Sequence, residues 1–101
     1  MILMTGVTSK MSNIEVRVPK LFPTHTIREV LSIEKWYVQE GDILNPNALM
    51  VSFETPPGFF DVPAPPEVTI PHRVVRLHVQ EGDEIRLNGL FITLEPILGS
   101  K

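Results

Sequence analysis

Val38-Gln39-Glu40-Gly41-Asp42 returns 41 residues later as Val79-Gln80-Glu81-Gly82-Asp83. The echo runs on without a gap: Asn47 matches Asn88, Leu49 matches Leu90, Val51 Ile92, Phe53 Leu94 and Glu54 Glu95. Over residues 33–54 against 74–95, eight of 22 positions are identical. Ungapped chance rarely yields that, so the chain reads as two related halves.

Each half repeats one physical plan. A strand comes first, with Trp36 and Val38 on one face in the first copy and Val75, Leu77 and Val79 in the second. A Glu-Gly-Asp turn follows, in which glycine supplies a positive φ and aspartate bonds the backbone just after it. An asparagine then precedes a second alternating strand. Leu49, Val51 and Phe53 are expected to face opposite Ser52 and Glu54, and Leu90, Ile92 and Leu94 opposite Thr93 and Glu95. Ile14, Val16 and Val18, alternating with Glu15 and Arg17, add an opening strand. Thr26–Lys35 carries some helical spacing but runs straight into Trp36-Tyr37-Val38, and reads as a strand with a bend. Ten prolines and six glycines leave no stretch suited to a long helix. Short, duplicated strands point to an all-β sandwich or flattened barrel, in which neither half could hide its core alone.

The 101 residues suffice for one small domain, expected over 13–98, behind a flexible tail over 1–12 in which Met11 is a plausible start. An apolar share of 43% is too high for a disordered chain. The net charge of −3 and the scattered basic residues speak against nucleic acid as a partner. The absence of cysteine removes thiolate ligands and nucleophiles and fits a reducing, cytoplasmic setting. The first residues carry neither the basic region nor the long apolar segment of a signal peptide or membrane anchor, so no membrane role is expected.

VPKLFPTHT (18–26), KWYVQEGDIL (35–44), ALMVSFET (48–55), DVPAP (61–65) and VVRLHVQEGDEIRLNGLFITLE (74–95) together resemble the lipoyl/biotinyl-carrier domain family over about residues 14–97. The resemblance implies a barrel-sandwich hybrid: two four-stranded antiparallel sheets, an internal pseudo-twofold repeat and a protruding turn. In that family the turn presents a lysine, commonly as Asp-Lys-Ala or Met-Lys-Met, which a ligase joins to lipoate or biotin. Aligned without gaps from Glu54-Thr55 to Ala64-Pro65, the lysine position falls on Pro57, flanked by Pro56 and Gly58. Amide formation needs a nucleophilic amine, and a proline within a chain has neither a side-chain amine nor a backbone N–H. Pro57-Gly58 still suits the second and third positions of a tight turn. Ile27–Ser32 and Pro66–Arg73 also depart from the family, being longer than its usual glycine-containing segments.

The candidate partner-binding residues are those of this hairpin: Glu54, Thr55, Pro56, Pro57, Gly58, Phe59, Phe60 and Asp61. Adjacent strand residues face opposite sides, so one of Phe59 and Phe60 is expected to be exposed unless Pro63–Pro66 covers it. His25, His72 and His78 have no ligand spacing and read as surface histidines, with no metal site. Glu40/Asp42 and Glu81/Asp83 flank turn glycines and read as backbone caps; calcium would need more oxygen ligands. No catalytic motif stands out, Trp36 reads as core, and no enzyme activity is expected. The expectation is a lipoyl/biotinyl-like module without the attachment lysine or a cofactor, which binds a protein partner, or a second copy of itself, through the hairpin edge. The alternative is a carrier or accessory subunit of an acyl- or carboxyl-transfer complex, with lipoate or biotin on an atypical lysine or held non-covalently.

Overall fold

The computed structural model describes residues 13–21, 29–55 and 58–98. The expected tail over 1–12, His25, Pro56, Pro57 and most of the VPKLFPTHT segment lie outside them.

The described residues form eight strands and no helix: β1 (Ile14–Arg17), β2 (Val30–Trp36), β3 (Ile43–Leu44), β4 (Leu49–Thr55), β5 (Gly58–Pro63), β6 (His72–Leu77), β7 (Glu84–Arg86) and β8 (Leu90–Pro96). They make two four-stranded antiparallel sheets, in the orders β1-β8-β6-β3 and β5-β4-β2-β7. The short strands β3 and β7 each pair with a strand of the opposite half. The two halves therefore interlock in the all-β barrel-sandwich arrangement, with a pseudo-twofold repeat.

That repeat reaches into backbone detail. Gly41 and Gly82 take φ of 94° and 91°, and Asn47 and Asn88 take 68° and 69°. Asparagine is the non-glycine residue that best tolerates this left-handed region, so both turns use the residue type the geometry selects. The bulges repeat as well. Glu34 is skipped between Ile33 and Lys35 on β2, as Val75 is between Val74 and Arg76 on β6. Met50 is skipped between Leu49 and Val51 on β4, as Phe91 is opposite β1 on β8.

Each Glu-Gly-Asp turn clasps a strand of the other half across the pseudo-axis. The Gly41 N–H donates to the Val74 carbonyl and the Gly82 N–H to that of Ile33, both at 2.8 Å. Glu40 accepts the Leu77 N–H and Glu81 the Trp36 N–H, both at 3.0 Å. These glutamates do cap backbone, but each caps the other half. The aspartates reach backwards rather than forwards: Asp42 accepts the Gln39 N–H at 2.9 Å and Asp83 the Gln80 N–H at 2.8 Å.

The core lies between the sheets and includes Leu31, Ile33, Val51, Phe53, Val74, Phe91, Ile92 and Leu94. Phe91 packs edge-on against Phe53, with ring centres 5.6 Å apart, and stacks on Trp36 at 5.9 Å. Trp36 is only partly buried and donates its indole N–H to the Val79 carbonyl at 3.1 Å.

The bulges overturn three face assignments. Leu49, expected inside, is 46% exposed, because the bulge at Met50 turns both Met50 and Val51 inward. Val75, expected on the inner face with Leu77, is 42% exposed, because it is itself the extra residue. The inward parity of β6 is set by Val74 and therefore includes His72, which is 3% exposed rather than on the surface. Its Nδ1 lies 2.8 Å from the Ile70 carbonyl oxygen, which can only accept, so this nitrogen carries the proton. His72 occupies the position that Leu31 fills in the first half.

Candidate functional site

β4 and β5 form a hairpin whose closing pair is Thr55 and Gly58, with the Thr55 hydroxyl donating to the Gly58 carbonyl at 3.0 Å. Gly58 does take a positive φ, 148°, but as the first residue of β5 rather than inside the turn. The connection is thus residues 56–57, one position earlier than Pro57-Gly58. Pro56 and Pro57 themselves lie outside the described residues.

Of the predicted site residues, Glu54, Phe59 and Asp61 share the solvent face of the β5-β4-β2-β7 sheet. Thr55 is buried, and Phe60 is half-buried opposite Phe53. Phe59 is 64% exposed, more than any other large apolar residue described. Strand alternation explains the split, since Phe60 turns toward the core and Phe59 cannot.

Two rows of side chains cross this face. The first reads Glu84, Ser32, Glu54, Phe59 from β7 to β5. The second contains Lys35, Ser52 and Asp61. In the second row the Tyr37 hydroxyl donates to Asp61 Oδ1 at 3.0 Å. Tyr37 follows β2 and Asp61 lies on β5, so this bond passes over β4, which explains why outward-facing Ser52 is only 4% exposed. The Lys35 ammonium sits 5.1 Å from the centre of the Tyr37 ring, a cation–π distance. Losing the bond to Asp61 raises the cost of ionising Tyr37, and its pKa lies above the ordinary value of 10.0.

Sequence reasoning missed Tyr37, Lys35, Ser32 and Glu84 as members of this face. Only their strand parity relative to Ser52 and Glu54 could have indicated them, and the bulge at Glu34 hides it.

Openings also lie elsewhere. A cleft of about 500 Å³ on the pseudo-axis is lined by Trp36, Leu77, Glu40 and Glu81, whose carboxylates already cap backbone. An apolar groove of about 190 Å³ runs between the edge strands β1 and β5, over Val16, Met50, Val62 and Phe91, with prolines on its rim. Among the described residues no group of three or more His, Asp or Glu side chains is placed to hold a metal ion. No helix among them is long and apolar enough to cross a membrane. In comparisons with family models and with curated proteins, the chain matches none.

Proposed function

We propose that this chain is a non-enzymatic lipoyl/biotinyl-like domain that binds a protein partner through the β4–β5 hairpin and carries no prosthetic arm. The single observation that bears most on this reading is Phe59, an aromatic side chain 64% exposed on a hairpin edge. An exposed aromatic on an otherwise polar rim costs solubility without stabilising the fold, and such residues are enriched at the centres of protein interfaces. Pro57, at the position where the resemblance places the modified lysine, removes the nucleophile that lipoylation or biotinylation needs. Neither the 500 Å³ cleft nor the 190 Å³ groove combines a nucleophile with a base, which favours binding over catalysis.

The test has two arms. Co-expression with a lipoate or biotin ligase should leave the intact mass unchanged, and an added lipoyl or biotinyl group on any lysine would favour the carrier alternative. Phe59→Ser should abolish capture of the partner while moving the melting temperature little, because Phe59 contributes little buried area. A large loss of stability would assign Phe59 to the fold instead.

A further inference from the structure

Resting on the hairpin reading, we infer that the partner presents an arginine, which docks over Ser32 between the Glu54 and Glu84 carboxylates, beside an apolar residue that covers the Phe59 ring. Equivalent rows on the two sheets differ in charge. On the β1-β8-β6-β3 sheet the row reads Ile43, Arg73, Glu95, and Arg73 lies 3.7 Å from the Glu95 carboxylate. At the same offset of 41 residues, the other sheet has Glu84, Ser32, Glu54. The glutamate is kept, its cation is replaced by the short Ser32, and a second carboxylate takes the place of Ile43.

The result is two exposed acids flanking a half-buried serine, with neither in an ion pair among the described residues. The cations described on this sheet do not compensate. Lys35 lies over Tyr37, and Arg86, paired with Val30 at the far edge, makes no ion pair among the described residues. Strands about 4.8 Å apart put the Glu54 and Glu84 backbones roughly 10 Å apart, a gap that one guanidinium over Ser32 can bridge. Phe59 closes the row beside Glu54. A planar guanidinium suits this arrangement better than an ammonium, because it can share its five donors between two carboxylates. The acids add charge complementarity to the apolar contact and confer selectivity on it.

Isotope-labelled protein titrated with a short synthetic peptide of alternating arginine and leucine tests this, with a glutamate-for-arginine peptide as control. The arginine peptide should shift the amides of Ser32, Glu54, Phe59 and Glu84, more weakly at high salt, and the control should not. Glu54→Gln and Glu84→Gln should each weaken binding about two- to four-fold, as expected for exposed ion pairs. Ser32→Arg copies the Arg73–Glu95 arrangement, so it should fold normally and block the peptide by filling the place from within. Equal shifts from both peptides, shifts confined to the Arg73 face, or unchanged binding by Ser32→Arg would overturn the inference. Shifts at these amides on raising protein concentration alone would overturn it in favour of a second copy. Binding lost in Phe59→Ser but untouched by both glutamine variants would also overturn it, while leaving the hairpin reading intact.

Discussion

The first and second halves agree at the duplicated turns, Gly41 with Gly82, Asn47 with Asn88 and Glu40 with Glu81, and in where both pairs of bulges fall. They part company on the outer faces, where Ser32, Glu34 and Tyr37 stand in place of Arg73, Val75 and His78. Turn positions with positive φ admit few residue types, so divergence there costs stability. An outward side chain on a strand costs little to change, and that freedom is where two halves of one fold can acquire different tasks.

The equivalence is broken most severely in the core. Met50 and Phe91 are matching bulge residues, both essentially inaccessible, but Phe91 also contacts Trp36 and Phe53. Phe91→Ala should cost about 4 kcal/mol and Met50→Ala about 3 kcal/mol in urea unfolding. If Met50→Ala proved the more damaging, the aromatic cluster would not be the centre of the core.

A finer break falls where Ala48 corresponds to Gly89. A Cβ on Gly89 would meet the Ile85 side chain at 2.7 Å and the Arg86 carbonyl oxygen at 2.9 Å, whereas the first half has Leu44 and Asn45 there and accommodates Ala48. Gly89→Ala should cost about 2 kcal/mol by overpacking, and Ala48→Gly under about 1 kcal/mol through added chain entropy. Equal effects would mean that Ile85 yields freely.

The repeat was legible because glycine, aspartate and asparagine at fixed spacing act on backbone only a few residues away. The faces of Leu49, Val75 and His72 were misread because a bulge inserts a residue without any mark in the alternation, and the partner strand decides where it falls. The exchanged glutamate caps were equally hidden, since Glu81 serves a backbone amide 45 residues away and Glu40 one 37 residues away. At the candidate site, the exposure of one phenylalanine followed from two adjacent aromatics in a strand. The Tyr37–Asp61 bond joins β5 to the end of β2 across a third strand, and no local pattern encodes it.

The capping exchange itself should be symmetric. Glu40→Gln and Glu81→Gln each weaken one charge-assisted bond to an exposed backbone N–H, so each should cost about 1 kcal/mol, with matching loss in thermal unfolding. A marked inequality would show that one turn clasps the molecule and the other merely follows.

The smallest effect separates Tyr37 from its counterpart His78, whose Nε2 lies 2.7 Å from the Thr93 hydroxyl on the adjacent strand. Tyr37 instead meets a carboxylate, and Asp61 raises its pKa first by the hydrogen bond that ionisation would destroy. The folded-state value therefore exceeds the unfolded one. The corresponding contribution to stability is fully present below the ordinary value of 10.0 and is lost as pH rises through the higher folded value. Because Tyr37 is the chain's one tyrosine, phenolate absorbance reports it alone. Asp61→Asn should move that midpoint down toward 10.0 while the melting temperature at neutral pH barely changes, as befits an exposed side-chain bond. An unmoved midpoint would mean that Tyr37 and Asp61 part in solution, and would strip the second row of its crossing bond. Ser52 would then lose its cover, and the rows around Phe59 would present a more open face than the one described.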